Sequence, residues 1–313
     1  MIKNIPALII IYNHRFDANI PKLEKIYENR FSLIYHLVPF YDGDLPNVIP
    51  VFENSFYFQG YIPQSKRILN KINASHFVFV GDDLILHPDI NENNILSELK
   101  VSEDGAFLPW SWGMITKMSM EWANTFPSIN SFYLEDYLLH HAPDWKRILP
   151  ERDIAIQKLK KLGFTSGKLN YKLLKGENKS YNYPRFNITL KEYLKLLLKR
   201  RRTPAYPLLT GYSDMFILPK NKLEKFSEFC ELFRQMRLWV EVAIPTALVL
   251  TIDDLVFEKN TNWQGTTYWE NENIEEMNER YKQVDFNFEE LMKSYKPNEL
   301  YIHPVKLSKW KIN

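Results

Sequence analysis

The sequence predicts an α/β fold in which helices flank a central sheet, and three observations lead to this prediction. Short β-branched runs alternate with stretches that have the apolar spacing of helices. The 313 residues are 45% hydrophobic and 25% charged, which is the balance of a folded globular protein. The length corresponds to one large domain or two small ones, so the chain can bury a sizeable core.

The N-terminal part is predicted to alternate strands with helices. Residues 7–12 are an apolar, β-branched run that predicts a strand, and residues 20–29 have the apolar spacing of a helix. Two further strands are predicted at 33–38 and 77–80, with a helix at 63–72 between them. This alternation predicts parallel strands, whose ligand crevice lies beyond their carboxyl ends.

The rest of the chain extends the same pattern. Later elements predicted from spacing are a helix at 93–99, a strand at 106–110, a strand at 215–218, a helix at 221–236 and a helix at 274–281. One continuous domain with three parts is predicted, namely residues 1–149, 150–207 and 208–313. The middle part is basic and mainly helical, and the last part is expected to end in an irregular tail.

Composition and charge exclude several functions. The formal net charge is only +2, so no global field attracts nucleic acid. With 10 glycines, the chain has neither a dinucleotide-binding glycine motif nor a complete P-loop. The single cysteine, Cys230, excludes a disulfide framework and, with no export signal or membrane span recognised, predicts a cytoplasmic protein.

Polar residues that follow the predicted strands are the first candidates for a site. Asp82 and Asp83 come directly after an apolar strand and Gly81, and two adjacent carboxylates repel each other unless a positive group joins them. A divalent cation such as Mn²⁺ or Mg²⁺ would relieve this repulsion. The structural alternative is a turn in which one carboxylate caps a backbone amide.

This layout resembles the GT-A-fold glycosyltransferases, in which an acidic D-x-D-like motif after a strand holds a divalent metal on a nucleotide sugar. Here Gly81, Asp82 and Asp83 occupy the motif, with glycine at its first acidic position. The resemblance implies a Rossmann-type mixed sheet flanked by helices, with residues 1–149 as the nucleotide-sugar-binding half. It also implies Asp83 as a metal ligand and Asp82 as a ligand of the metal or the ribose.

The resemblance extends to other donor and metal residues. A segment before the acidic strand is similar to the family's donor-binding helix, and in the tail His303 would complete the metal site while Lys306 contacts the diphosphate. The full set of residues expected to bind the donor is Asn13, His14, Arg15, Asp42, Gln59, Gly60, Gln64, Lys66, Arg67, Asp82 and Lys306. The expected metal ligands are Asp82, Asp83 and His303, and surface charge is the alternative for Lys66 and Arg67.

The acceptor side is predicted in the C-terminal part. Glu241 is a single carboxylate in an apolar run, where an unpaired charge is costly. Inverting enzymes of the family resemble this in presenting a carboxylate as general base, so Glu241 is expected to be catalytic, together with Asp214. The alternative for Glu241 is an ion pair with Arg234 or Arg237. Gly211 and Ser213 are expected near acceptor hydroxyls, with a plain turn as their alternative.

Aromatic and basic residues add candidate binding surfaces. Trp110 and Trp112 are expected to bind the acceptor, and they belong to a set of rings that suit sugars or the core: Trp110, Trp112, Tyr133, Trp145, Trp263, Tyr268 and Trp269. A basic helix could contact an anionic membrane or a lipid-diphosphate acceptor through Lys195, Lys199, Arg200, Arg201 and Arg202. A solvated helix face is the alternative.

The sequence therefore predicts a metal-dependent glycosyltransferase that acts on a glycan or lipid-linked acceptor. Two alternatives remain. A metal-dependent nucleotidyltransferase or phosphoesterase would use the same acidic pair, and a non-catalytic protein would bind glycan through its aromatic residues without a metal.

Overall fold

The computed structural model describes residues 5–114, 145–165, 194, 198, 206–268 and 273–312. The N-terminal part contains the predicted alternation of strands and helices. Its elements are β1 (Ala7–Ile11), α1 (Ile20–Tyr27), β2 (Ile34–Pro39), β3 (Val48–Val51), α2 (Tyr61–Leu69), β4 (His76–Gly81), β5 (Ile85–Leu86), α3 (Ile95–Glu98), β6 (Ala106–Leu108) and β7 (Gly113–Met114).

The second half of the chain alternates long helices with short strands. Its elements are α4 (Trp145–Ile148), α5 (Arg152–Lys161), β8 (Leu209–Thr210), β9 (Met215–Pro219), α6 (Leu223–Gln235), α7 (Val240–Thr251), β10 (Leu255–Phe257), β11 (Gln264–Thr267), α8 (Ile274–Gln283), α9 (Phe288–Lys293) and β12 (Glu299–His303).

A seven-stranded mixed sheet forms the centre, with the strand order β10-β6-β9-β4-β1-β2-β3. The four N-terminal strands β4, β1, β2 and β3 are parallel, as their alternation with helices predicts. Strand β9 runs antiparallel to both β4 and β6, so the sheet is mixed and not wholly parallel. The predicted α/β class with a mixed sheet flanked by helices is confirmed.

Helices cover both faces of the sheet. Successive side chains of each strand point to opposite faces, so each strand contributes to two cores. In β1, Ala7, Ile9 and Ile11 join the core that holds α2, α6 and α7, whereas Leu8 and Ile10 join the core that holds α1. All five β1 residues are buried, as in strands covered on both faces. The carboxyl ends of β1 and β4 are therefore fixed between two packed layers.

The C-terminal tail is more regular than the sequence predicts. Its strands β11 and β12 form a second sheet with β5, in the order β11-β12-β5. Tyr301 and Ile302 of β12 lie opposite Leu86 and Ile85, immediately after the acidic turn. The hydrogen bond from Val305 N to Asp83 O, 2.6 Å long, continues this contact. The tail thus reaches the turn that carries Asp82 and Asp83.

Helix α7 and strand β3 are among the elements that have no counterpart in the sequence analysis. Helix α7 occupies the run in which Glu241 stands, and every residue of it from Val240 to Leu250 is buried. It therefore lacks the polar face from which a helical period is read. Strand β3 has only four residues and contains Pro50, which is tolerated at the edge of a sheet.

Several predictions fall outside the described residues. They include the sugar-binding roles of Tyr133 and Trp269 and the basic helix, of which the structure describes only Leu194 and Leu198. Residue positions 195 and 199–202, expected at a membrane, belong to this group. Within the described part of the chain, no helix is long and apolar enough to cross a membrane. The division into three parts stays a prediction, although strands from the first and third share one sheet.

Candidate active site

A tight turn after β4 places the acidic pair at the carboxyl edge of the sheet. Gly81 N donates a hydrogen bond to Asp214 O at 2.8 Å, and Asp82 N donates to Ile11 O at 2.9 Å. Leu84 N closes the turn on Gly81 O at 3.1 Å. The backbone of this turn is thereby tied to the end of β1 on one side and to the residue before β9 on the other.

The Asp82 side chain faces the loop between β1 and α1. Its Oδ1 accepts from Asn13 N at 3.5 Å, and its Oδ2 accepts from Asn19 Nδ2 at 3.4 Å. Burial and the charge of Asp83 raise the pKa of Asp82 to about 7. Asn19 was not predicted from the sequence, where it reads only as a residue before a helix. Its contact ties Asp82 to the loop between β1 and α1.

Asp83 faces the C-terminal tail instead. Its Oδ1 lies 3.2 Å from His303 Nε2. Burial opposes the charge of the imidazole, but the negative charges of Asp83, Asp214 and Asp82 outweigh it and raise the pKa of His303 to about 9. Burial likewise acts to raise the pKa of Asp83, and the charge of His303 outweighs it and lowers that pKa. The two side chains therefore form a charged pair.

Asp214 and Glu241 extend this acidic group inward. A Cβ atom added to Gly81 would lie 3.5 Å from Asp83 Oδ1 and 3.7 Å from Asp214 Cβ, so the two residues flank the same glycine. Burial raises the pKa of Asp214, with the charge of His303 acting against it. Glu241, in the first turn of α7, is only 6% exposed. Burial and then the charge of Asp214 raise its pKa well above the usual range.

Arg234, one of the two arginines that could pair with Glu241, forms its ion pairs with other residues. The guanidinium of Arg234 pairs with Glu231 at 2.7 Å and with Glu53 at 3.5 Å. Glu241 Oε2 is buried and has no hydrogen-bond partner among the described residues. Burial raises the pKa of Glu241, which favours the uncharged carboxyl and so reduces the cost of an unpaired charge.

Buried polar atoms without hydrogen-bond partners collect around this group. Within the described residues they include Asn19 Oδ1, Ser213 Oγ, Glu241 Oε2 and His303 Nδ1. These atoms come from the residue before α1, from the turn before β9, from the start of α7 and from the end of β12. Most buried polar groups in proteins are paired, so such a concentration is typical of a place where a ligand supplies the missing partners.

The side chains available as metal ligands suit a divalent cation that is also coordinated by a substrate. No group of three or more His, Cys, Asp or Glu side chains that could hold a metal occurs in the described ranges. Asp83 and His303 offer a carboxylate and an imidazole 3.2 Å apart, and the imidazole would have to release its proton to bind a metal. Mg²⁺ and similar ions commonly take one or two protein ligands plus phosphate oxygens and water. Lys306 is exposed, and its charge also lowers the pKa of Asp83.

A stack of aromatic rings leads from this group towards the surface. Tyr212 lies between Tyr301 and Trp110, with ring centroids 5.7 Å and 5.2 Å apart and nearly parallel planes. Trp112 meets Trp110 edge to face at 4.3 Å, and both tryptophans are half-buried. The rings of His303 and Tyr212 meet edge to face, with their centroids 5.9 Å apart. The two tryptophans predicted to bind the acceptor are thus linked to His303 by packed rings.

Gly211 fits where no side chain can. Its N–H donates to Glu241 O at 2.9 Å, and an added Cβ would lie 2.8 Å from the backbone oxygen of Trp110.

We expect Gly211→Ala to lower the free energy of unfolding by about 1–3 kcal/mol, because a backbone atom must move. Gly81→Ala is the matched control, since its nearest contact would be an ordinary 3.5 Å. Urea unfolding of both variants measures the difference, and equal stabilities would contradict this packing.

The donor residues predicted from the first two strand ends lie near the surface. His14 is exposed, and Arg15 donates to Asp42 Oδ1 at 2.5 Å and to Asp17 Oδ2 at 2.9 Å. Arg15 Nη1 also donates to Phe40 O at 3.0 Å. These contacts tie the loops after β1 and β2 together.

The second donor segment has mostly internal contacts. Gln59 is fully buried and donates to Leu238 O at 2.8 Å, and a Cβ on Gly60 would meet Arg234 Cδ. Gln64 Oε1 accepts from Phe52 N at 2.7 Å, and Lys66 pairs with Glu224 at 2.6 Å. Arg67 is exposed on α2. The structure therefore brings Asp82, Asp83, Asp214, Glu241 and His303 together, but not this segment.

A buried network supports the end of β1. His36 is fully buried, with Nδ1 3.1 Å from Tyr12 Oη and Nε2 2.7 Å from Glu24 Oε1. Asn47 Nδ2 also donates to Glu24 Oε1. The sequence contains no spacing that joins these residues, because they come from different elements. Their contacts fix the strand end that precedes Asn13.

Glu258 makes the stability of the protein depend on pH. Burial raises its pKa to about 7, although Gly265 N donates to its Oε1 at 3.1 Å. Because the unfolded chain loses this proton first, stability is greatest at acidic pH and falls as pH rises from the unfolded pKa to about 7. We expect the free energy of unfolding of Glu258→Gln to exceed that of wild type above pH 7, by on the order of 2 kcal/mol. Urea titrations at acidic and alkaline pH test this, and a gain of equal size at both would contradict it.

Comparison with known proteins finds no similar sequence and only weak structural similarity. No protein-family model matches the chain, and no curated protein matches it in sequence. Among solved structures, it is similar to the mannosyltransferase Ktr4p from S. cerevisiae in complex with GDP, with a TM-score of 0.36 and 9% identity over 83% of this chain and 70% of that chain. A second Ktr4p structure gives 0.35 and 10% over 82% and 68%. Likeness at this level assigns neither a function nor site residues.

Proposed function

We propose that this protein is a divalent-metal-dependent glycosyltransferase that moves a sugar from a nucleoside diphosphate donor to a glycan or glycolipid acceptor. The observation that carries the proposal is the Asp83 and His303 pair at the carboxyl edge of parallel strands. Ligands of α/β sheets bind beyond this edge. Asp83 is half-buried and already faces the positive charge of His303, which supports a site for a cationic group at this position.

Asp83 and His303 would hold Mn²⁺ or Mg²⁺. Both ions accept carboxylate ligands, and Mn²⁺ also accepts imidazole. When bound, the cation supplies stabilisation of the negative charge on the departing diphosphate. Lys306 is placed to add a positive charge, since it already lowers the pKa of Asp83. Asp82 holds the loop after β1 through Asn13 and Asn19, on the side where the donor is expected.

The chemical step is a direct displacement at the anomeric carbon, with inversion. The acceptor oxygen forms the new bond as the bond from the anomeric carbon to the diphosphate oxygen breaks, and the hydroxyl proton passes to a carboxylate. Asp214 is half-buried beside Asp83 and has a raised pKa, which suits a general base. Glu241 lies deeper, and burial raises its pKa well above the usual range, so we assign the role of base to Asp214 rather than to Glu241.

The acceptor is proposed to lie against the aromatic stack. Trp110 and Trp112 are half-buried and stand at the outer end of the ring stack that reaches His303. Flat apolar ring faces suit the apolar face of a sugar ring, and Ser213 and the Gly211 backbone adjoin the same turn. The acceptor hydroxyl would then approach the carboxylate of Asp214.

The products of a donor panel test the reaction class. The purified protein is incubated with UDP-, GDP- and CDP-linked sugars, with Mn²⁺ or with EDTA, and with a mixture of glycans and glycolipids. Release of the nucleoside diphosphate with Mn²⁺ alone supports the proposal. In a parallel incubation with nucleoside triphosphates and sugar phosphates, release of pyrophosphate would instead indicate a nucleotidyltransferase, and release of phosphate a phosphoesterase. Glycan binding without any turnover would indicate a non-catalytic protein.

A further inference from the structure

A cavity of about 620 Å³ lies between α1 and α9, and its volume is within the usual range for sites that bind small ligands. We call it the α1–α9 cavity. Its lining is mainly apolar, and the apolar members are Ile26 of α1, Phe288 and Met292 of α9, Pro88 and Ile312. Phe288 is buried, whereas the other four are half-buried. The cavity therefore offers apolar surface for a ligand to cover.

The α1–α9 cavity is separate from the candidate active site. Helix α1 leads from the carboxyl end of β1 back towards the start of β2, and the cavity is lined by its last turn, with Lys25 and Ile26, and by Arg30. These residues precede β2, whereas Asp82 and Asp83 follow β4. Because β1, β2 and β4 are parallel, the two places lie at opposite edges of the sheet. A ligand in this cavity is therefore distinct from the proposed substrates.

A guanidinium with an unused nitrogen lines the cavity. Arg30 Nε donates to Ile90 O at 2.9 Å, and Nη2 donates to the backbone oxygens of Leu86 and His87. Nη1 is buried and has no hydrogen-bond partner among the described residues. The charge of Asp89 acts on Arg30, but the Asp89 side chain is 83% exposed, and burial outweighs its effect and lowers the pKa of Arg30. A guanidinium bonded only to neutral carbonyls favours an anionic partner.

The charged members of the lining have a positive excess. They are Lys25, Arg30 and Lys293 against Glu289, so three positive charges less one negative charge leave +2. Lys293 Nζ pairs with Glu290 Oε1 at 2.7 Å, so the excess lies on the α1 side of the cavity. Lys25 is exposed there. Charge complementarity therefore favours an anionic group near Arg30 over a cationic one.

We propose that the α1–α9 cavity binds a single aliphatic chain with an anionic head group, which is the chemistry of a fatty acid. The head group accepts a hydrogen bond from Arg30 Nη1, and a carboxylate suits this role because guanidinium and carboxylate groups form strong charge-assisted hydrogen bonds. The chain covers Ile26, Met292 and Ile312, and the flexible methionine adapts to it. Burial of the chain supplies the attraction. This inference does not depend on the proposed enzymatic function.

Isothermal titration of the full chain with decanoate tests this site. We expect one decanoate per chain. Decanol has the same chain length without the charge, and it should bind at least about tenfold more weakly, because the charge-assisted hydrogen bond is lost. Butyrate keeps the carboxylate on a much shorter chain and should bind at least about 100-fold more weakly. No binding of decanoate at about 1 mM, or equal affinities for decanoate and decanol, would overturn the proposal.

Two variants of the same kind locate the bound chain. Met292→Glu places a carboxylate in the cavity and should weaken decanoate binding at least about tenfold. Met277→Glu is the matched control, because Met277 is also half-buried, on α8, and is outside the lining, so it should bind like wild type. Arg30→Met should lower the affinity for decanoate to that for decanol. Circular dichroism melting checks that each variant folds, and equal losses in the two glutamate variants would contradict the site.

A vesicle experiment distinguishes a free ligand from a lipid in a bilayer. Vesicles of phosphatidylglycerol present the same chemistry, an aliphatic chain with an anionic head group, and their binding is measured by co-sedimentation with and without decanoate. Vesicle binding that decanoate abolishes supports the site with a lipid as its source, and decanoate binding without vesicle binding supports it with a free fatty acid. Vesicle binding that decanoate leaves unchanged, in a protein that does not bind decanoate, would overturn the proposal.

Discussion

Replacing Asp83 by Asn is expected to weaken divalent-dependent binding of the nucleoside diphosphate by about 100-fold or more, because residues that only orient metal ligands already cost roughly 10- to 100-fold. The variant removes the carboxylate charge while keeping its shape. His303 then loses the neighbour that raises its pKa and is no longer paired. Isothermal titration with Mn²⁺ present measures the affinity.

The control for this variant is another carboxylate far from the site. Asp89→Asn changes a side chain that is 83% exposed, and its affinity should equal that of wild type. His303→Ala should give a loss similar to that of Asp83→Asn, since both proposed ligands are needed. If Asp83→Asn folds normally and still binds nucleotide in a Mn²⁺-dependent way, Asp83 does not hold the cation.

The second large effect separates the two acceptor-side carboxyls. Asp214→Asn should lower kcat by roughly 100- to 10,000-fold, which is the usual contribution of a general base. Glu241→Gln should keep kcat within about tenfold of wild type, because burial favours the uncharged form of this carboxyl and the amide is also uncharged. Both substitutions preserve size, so the comparison isolates the proton.

Steady-state kinetics with the identified donor and acceptor measure this contrast. The ratio of the two kcat values decides the assignment, and substrate affinities check that each variant still binds. A kcat that is lost in Glu241→Gln but retained in Asp214→Asn would return the role of base to Glu241, where the sequence analysis placed it.

The parallel core of the fold was predictable from the sequence, because β1, β2 and β4 are continuous apolar runs. Their burial on both faces leaves a pattern that is visible without any neighbours. Helix α7 has no such pattern, since it is buried all around and shows no period. Strand β9 has a normal strand sequence, but its antiparallel direction depends on the path of the chain before it.

The candidate site was predictable where a strand end carries the chemistry. Asp82 and Asp83 stand out because two carboxylates follow an apolar run. Their different partners, Asn19 for Asp82 and His303 for Asp83, depend on tertiary contacts that no spacing encodes. The same limit explains Lys66, whose ion pair with Glu224 joins residues far apart in the chain.

The most direct test of the central claim is a thermal-shift measurement of the purified protein with UDP, GDP, CDP and CMP, each with Mn²⁺ and with EDTA. A ligand that binds only the folded state raises its melting temperature. The proposed function predicts a rise with one nucleoside diphosphate that is present with Mn²⁺, absent with EDTA and lost in Asp83→Asn. Equal melting temperatures with every nucleotide, with or without Mn²⁺, would contradict it.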